Sequence, residues 1–331
     1  MKRFDEDGYL IGLDVGGTKV EAIAVNQNLE IMASARLLMD ASSEAQAVES
    51  IAAAIQAVQD QLPSAAGKLL AIGAGVPGQV QGGEVKLAVN LNMRSYPLGS
   101  ELFARFRAPF IMENDVRTAA LGAFYHLRQS HAIESLAYLS VGTGIAAGLI
   151  LNGKLYRGAN GMAGEIGHMV FEPGGPRCNC GAYGCLEALA SGPALAQQAS
   201  LALQSGRKSS LAGVQPITSE AVYRAAEEGD PLAIEIIQKG GAHLARAVHW
   251  LVMAYDVEKI VIGGGVSHAG GAFLAPIQTE LAQLRTQSGL ARSLLPAEKI
   301  LLLPVTYNAG GWGAIALARQ SIGTPVSELF E

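Results

Sequence analysis

Residues 9–25, YLIGLDVGGTKVEAIAV, form an apolar run, a turn of small residues and a second apolar run. Apolar runs of this length broken by glycines predict two strands joined by a tight turn. The pattern returns in residues 136–151, LAYLSVGTGIAAGLIL, again around a turn of glycine and threonine. After the first pair, EIMASARLL (residues 30–38) predicts a third strand. An alanine-rich helix is expected from about Ser43 to Gln61, with Ser42 or Ser43 as N-cap and Pro63 as its stop. KLLAIGAG then reads as a buried strand, APFIMEN as another, and DVRTAALGAFYHL as a helix.

In the second half, Asp230 followed by Pro231 opens a long helix running toward Tyr255, because proline is tolerated in a first helical turn. EKIVIGGGVS predicts a strand ending in a glycine turn, and AGGWGAIALARQ a closing helix. Strands alternating with helices predict an α/β protein with largely parallel sheets. Two halves that open with the same device predict a duplicated fold with a cleft between two domains.

Composition narrows the partners. A chain of 331 residues and 34.4 kDa exceeds one comfortable core, which fits the two-domain expectation. Hydrophobic residues are 50%, charged ones 16%, and the mean hydropathy is +0.25, so apolar material for a core is ample. The formal net charge is -5 with lysine and arginine scattered, so no basic stripe invites nucleic acid. A small-molecule partner is expected. The opening MKRFDEDGYL is too charged for a signal peptide, and the uncharged residues 135–152 are broken by GTG and read as strands rather than a membrane span. With few cysteines, a reducing cytoplasm is the expected compartment.

Three glycine-rich segments could hold a ligand. GAGVPG (residues 73–78) matches G-x-G-x-x-G, but Pro77 and the following GQVQGGEV predict a hairpin where a dinucleotide site needs a helix. No P-loop pattern occurs. The two echoing turns are the stronger candidates, because backbone N–H groups in tight glycine turns approach phosphate oxygens and threonine adds a donor. Asp14 precedes the first turn, whereas Ser140 holds the matching place before the second. One carboxylate beside two phosphate-binding turns suits a nucleotide with Mg²⁺, a cation that favours oxygen ligands. Each turn by itself also fits an ordinary β-hairpin.

All three cysteines, Cys178, Cys180 and Cys185, fall within EIGHMVFEPGGPRCNCGAYGCLE (residues 165–187). A disulfide is disfavoured in a reducing compartment, and an odd count strands one thiol. With His168 ten residues upstream they supply Cys₃His, a closed tetrahedral set for structural Zn²⁺. The alternative is three unligated core cysteines. Glu165 and Glu187 flank this segment, and His168 can offer its second ring nitrogen as a donor. Two carboxylates and that N–H could read vicinal sugar hydroxyls; each acid alone could also be a solvated surface carboxylate.

DVGGTK, GVPG, END before a helix, LSVGTGIAAGLILNGKLYRGANGMAGEIGH, CNCGAYGCLE and IVIGGGVS, in this order, resemble the ROK family of bacterial sugar kinases. The resemblance runs over nearly the whole chain. It implies a two-domain actin-like ATPase (ribonuclease H-like) fold, ATP with Mg²⁺, a hexose acceptor, a structural zinc on the Cys₃His set and a homodimer. Domains of residues 1–125 and 126–310 are expected, with a closing helix at about 311–331 packing back on the first. The resemblance makes Asp115 the catalytic base, with Asn114, Glu165, His168, Glu187, Gly78 and Asn92 on the sugar. Asn114 or Asp115 could alternatively be only the cap of the following helix. Gly16, Gly17, Thr18, Gly142, Thr143 and Gly144 fall to the phosphates, Asp14 to the metal side, and Gly263, Gly264 and Gly265 to the adenosine. Lys19 either neutralises phosphate charge or points to solvent.

The expected reaction is transfer of the γ-phosphoryl group to the 6-hydroxyl of a hexose, with glucose first and an N-acetylhexosamine (N-acetylglucosamine or N-acetylmannosamine) or fructose as alternatives. A sugar-responsive repressor would need an N-terminal helix-turn-helix, and only eight residues precede the first strand. Two departures from the family count against glucose: Val116 and Arg117 stand where small residues or asparagine are usual, and Met93 where tryptophan is frequent. Both are expected near the acceptor.

Overall fold

The computed structural model describes residues 7–322, and within them the repeated strand–turn–strand device seeds two sheets of one topology. The first half runs β1 (Gly8–Val15), β2 (Lys19–Asn26), β3 (Ile31–Leu38), α1 (Glu44–Gln59) and β4 (Lys68–Val76). A small sheet of β5 (Gln79–Gln81), β6 (Glu84–Ala88) and β7 (Met93–Tyr96) leads to α2 (Leu98–Phe106), β8 (Phe110–Asn114) and α3 (Asp115–Leu127). The second half opens with β9 (Leu136–Val141), β10 (Ile145–Leu151) and β11 (Lys154–Tyr156). It continues through α4 (Leu186–Ala190), α5 (Gly192–Gln204), α6 (Ser219–Glu227) and α7 (Pro231–Tyr255). β12 (Lys259–Gly263), α8 (Gly271–Gln287), α9 (Gly289–Leu294), β13 (Ile300–Leu302) and α10 (Ala309–Gln320) complete it.

Strand order is β3-β2-β1-β4-β8 in the first large sheet and β11-β10-β9-β12-β13 in the second, so the halves correspond strand for strand. The sheets are mixed rather than largely parallel. Each glycine turn returns the chain at once, so the first three strands of each half pair antiparallel in succession; only the two strands reached through helices enter by parallel pairing. Asp14 and Ser140 occupy matching places, each one residue before the end of its strand.

Local signals explain most boundaries. Ser43 caps α1 by accepting from Gln46 N, and Asp230 caps α7 by accepting from Ala233 N with Pro231 in the first turn. α1 ends at Gln59, before Pro63, because the Asp60 N–H closes the last turn on Gln56 O. After GAGVPG the chain enters the β5–β6 hairpin, with Gly78 at φ +89°.

Each half buries its own apolar cluster, while α3 packs against β9 and β10 and α10 packs against α3, β1 and β4. α10 lies so close to the first sheet that a Cβ on Gly73 would stand 1.9 Å from Ala314 O. Of the segment expected to form the closing helix, residues 323–331 lie outside the described residues. Among the described residues no helix is long and apolar enough to cross a membrane.

Candidate active site

Both glycine turns open onto one cavity of about 570 Å³, lined by Gly16, Gly17, Thr18 and Lys19 from one half and Gly142, Thr143 and Gly144 from the other. Asp14, Gly78, Asn114, Asp115, Glu165 and Glu187 line it too. A second cavity of about 630 Å³ shares Asp14, Lys19, Asp115, Val116, Ser140, Gly264 and Gly265 with the first. It extends past Gly263 to the first turn of α10, so the two form one continuous cleft. Strand ends and helix starts from both sheets meet here, the usual location of ligands in open α/β sheets.

Asp14 sits against the N-terminus of α10. A Cβ on Gly310 would lie 2.4 Å from Asp14 Cγ, so only glycine permits the approach. Loss of solvent, with Asp115 and Glu21 adding to it and Lys19 opposing, pushes the Asp14 carboxyl up to about 6. Lys19 neither points free into solvent nor stands unpaired in the cleft. Its Nζ donates to Glu21 Oε1 at 2.7 Å, and Glu21 Oε2 accepts from Asn308 Nδ2 at 3.2 Å.

A stability prediction follows for Asp14. Its folded-state pKa lies above the ordinary 3.8, so the protonated acid favours folding, and that contribution is lost as pH rises from about 4 to about 6. Asp14→Asn should therefore be more stable than the parent at pH 7 without nucleotide or metal, by at most roughly 3 kcal/mol. The difference should vanish below pH 4. Urea unfolding at pH 3.5 and 7 measures it, and equal differences at both would refute the assignment.

The junction of β8 and α3 delivers Asn114 and Asp115 to the cleft, with Glu113 buried behind them. Asn114 is the cap of α3: its Oδ1 accepts from Arg117 N at 3.1 Å. Its Nδ2 donates to Gly78 O at 3.0 Å and to Asp115 Oδ1 at 2.9 Å, so its amide positions Asp115. Asp115 Oδ1 also accepts from Val116 N at 2.9 Å. Desolvation raises the Asp115 carboxyl above the usual range and Glu165 adds to it; backbone N–H groups and Arg117 act the other way.

Glu187 accepts from Ile145 N at 3.0 Å, which ties the acid to the second glycine turn, and a Cβ on Gly144 would meet its Oε2 at 2.6 Å. It stands in the first turn of α4, whose cap is Cys185. Glu165 opens the short turn that ends at His168.

The donor atoms of His168, Cys178, Cys180 and Cys185 lie within 4.8 Å of one another. Cys180 Sγ to Cys185 Sγ is 3.7 Å, and Cys178 Sγ to His168 Nδ1 is 3.6 Å. Zn–S bonds of about 2.3 Å at tetrahedral angles place sulfurs roughly 3.7–3.8 Å apart, so the donor set fits zinc. Nδ1 faces the sulfurs, which leaves Nε2 of His168 for another partner. His168 is exposed and is not among the residues lining either cavity.

Two acceptor-side expectations are corrected. Asn92 does not line the cleft: it adopts φ +54° after a short turn, and its Nδ2 donates to Ser42 O at 3.4 Å. Asn90, two residues earlier, lines the cavity beside Gly17. Met93 is 1% exposed in the core of the first half, and Arg117 is 3% exposed, so neither faces an acceptor. Val116 alone of the departures lines the cleft.

The ROK family profile matches residues 10–321. The chain belongs to the ROK family. A glucokinase from Halalkalibacterium halodurans is 34% identical over 282 residues, covering 82% of this chain and 84% of that one. The crystal structure of a ROK family glucokinase from Streptomyces griseus in complex with glucose and AMPPNP is 30% identical with a TM-score of 0.77, covering 95% of this chain and 100% of the other. A ROK family transcriptional regulator, a homologue of the Escherichia coli MLC protein, is 27% identical with a TM-score of 0.81, covering 97% of this chain and 81% of that one. The fold is thus the two-part actin-like ATPase type, and this ROK family member carries the His–Cys₃ set that fits a structural zinc.

Proposed function

We propose that this protein is an ATP-dependent glucokinase that transfers the γ-phosphoryl group of ATP to the 6-hydroxyl of glucose. One observation carries the reading: two phosphate-sized glycine turns, the one-sided Asp14, Asp115 and the Glu165–Glu187 pair all line one cavity. The glucokinases similar to it over most of their length supply the acceptor.

Gly16, Gly17 and Thr18 with Gly142, Thr143 and Gly144 take the phosphates, Lys19 stands beside them, and Gly263, Gly264 and Gly265 take the adenosine side. Magnesium would be held from the Asp14 side, where it supplies charge neutralisation for the nucleotide's phosphates. Asn114, Gly78, Glu165 and Glu187 form the sugar side, with Asn90 in the place expected of Asn92. The free nitrogen of His168, which lines neither cavity, is assigned to the sugar on the family resemblance alone. Phosphoryl transfer needs positioning and charge stabilisation above all.

Asp115 Oδ1 is used inside the protein, so Oδ2 receives the 6-hydroxyl. As that oxygen bonds to the γ-phosphorus and the bond to the β-phosphate oxygen breaks, its proton passes to Asp115. Turn N–H groups take up the charge on the transferring oxygens. Desolvation makes Asp115 a stronger base than an exposed carboxylate. Zinc would be held by His168, Cys178, Cys180 and Cys185; all four positions are protein ligands, so its part is to hold Glu165 and Glu187.

The same reading divides the chain into residues 1–125, joined by α10, and 126–310; packing of α10 on β1 and β4 supports it. It places the protein in the cytoplasm as a homodimer. A panel of glucose, fructose, N-acetylglucosamine and N-acetylmannosamine with ATP, followed by coupled ADP release, tests the acceptor. Glucose should give the highest kcat/KM. A higher value for another sugar replaces glucose, and no ADP with any sugar favours a sugar-responsive regulator.

A further inference from the structure

Residues 157–165 lead from β11 to Glu165 without helix or strand of their own. A loop that carries a binding carboxylate must be fastened by other means. One fastening is on the second sheet, where Ala147 N donates to Gly164 O at 2.7 Å. The other reaches the first sheet. Glu113, on β8, accepts from Asn114 N and Arg117 Nε through Oε1, both at 2.8 Å, and from Arg157 Nε through Oε2 at 2.5 Å. Arg117 also donates from Nη1 to Gly161 O at 2.8 Å, in the middle of the loop.

The side chains of Glu113 and Arg117 are 5% and 3% exposed, that of Arg157 54%. A buried ion pair is weak grounds for stability, because desolvation offsets most of its attraction. Its geometry is more informative. A guanidinium is a rigid fork that can bond a carboxylate and a carbonyl together, which a lysine ammonium on its flexible stem does not reproduce. Glu113 and Arg117 also flank Asn114 and Asp115 in the chain, so the network that holds the loop is continuous with the turn that presents the base.

We infer that Glu113, Arg117 and Arg157 form a clamp that sets the distance between the Glu165 loop and Asp115, with Arg117 a positioning residue for the acceptor. The inference rests on the kinase reading above. It explains why an arginine stands at 117: the side chain serves the loop and touches no substrate.

Steady-state kinetics with glucose and ATP test it, together with amide exchange over residues 157–165. Arg117→Met should raise the KM for glucose by about ten- to a hundredfold, the scale of a small misplacement of binding groups. The KM for ATP should stay where it was, and exchange in 157–165 should accelerate. Arg117→Lys keeps the charge toward Glu113 but not the reach to Gly161, so its glucose KM should fall between the two. A folded Arg117→Met with the parental glucose KM, or with both KM values raised alike, overturns the clamp. If that variant fails to fold, Glu113→Gln combined with Arg117→Met removes both buried charges, and Arg157→Ala alters a half-exposed side chain. Unchanged glucose KM and unchanged loop exchange in Arg157→Ala likewise overturn it. A parent that phosphorylates no sugar sinks the kinase reading instead, and loop exchange in the variants still decides the clamp.

Discussion

Asp115→Asn is expected to lower kcat by about 10²–10⁴, the usual cost of removing a general base. The affinity for glucose should change far less, since Glu165 and Glu187 keep their places. An asparagine Oδ1 at this position can accept from Asn114 Nδ2 and Val116 N as the aspartate does, whereas its amide nitrogen cannot take a proton. Folding should be undisturbed, because the cap of α3 is Asn114 and not Asp115. A fall in kcat with binding preserved marks an interaction made mainly in the transition state. The pH profile supplies a second reading. Desolvation holds the Asp115 carboxyl above the usual range, so parental activity should be lost on acidification at a higher pH than an exposed aspartate would give. Asp14, pushed up to about 6, titrates in the same cleft, so that limb belongs to the pair. The Asp115→Asn variant should lose the share of it that Asp115 contributes. A variant with near-parental kcat removes Asp115 from the role of base.

Cys180→Ser is expected to abolish zinc binding, raise the KM for glucose by about 10–100-fold and lower the melting temperature, as loss of groups that orient a site typically does. The parent should contain about one zinc per chain, the content of a closed four-ligand site. Cys180 is exposed, unlike Cys178 and Cys185, so the substitution removes no packing. Structural zinc binds with apparent free energies of about 10–16 kcal/mol at pH 7, as large as the whole stability of many domains. The loss should reach the sugar side first. Cys185 caps the helix whose first turn holds Glu187, and His168 closes the turn opened by Glu165. The KM for ATP should move less than the KM for glucose, since the knuckle meets the phosphate turns only through Glu187 at the second of them. Metal-free protein that phosphorylates glucose with parental constants would disprove the link between knuckle and acceptor.

Much of this was legible in the chain. Strand–turn–strand repeats, the capped helices at Ser43 and Asp230, and the hairpin after GAGVPG follow from interactions between residues a few positions apart, which apolar periodicity and turn chemistry encode directly. The cysteine knuckle was legible for the same reason, because a tetrahedral ion needs its ligands within a few ångströms and three of them lie within eight residues. The Asp14–Ser140 asymmetry was visible once the two repeats were aligned.

Only the tertiary structure decided the rest. Asn90 rather than Asn92 faces the cleft because one residue with φ +54° turns the chain there, a choice that composition does not announce. Met93 and Arg117 looked like acceptor-side departures, yet burial takes the first into a core and a carboxylate on β8 takes the second. Asp14 meets the first turn of α10, and Arg117 meets Gly161, across separations in the chain over which no periodicity acts. Sequence pattern reports which faces must be covered; which residue covers them, and which polar groups are thereby brought together, is settled only when the elements pack.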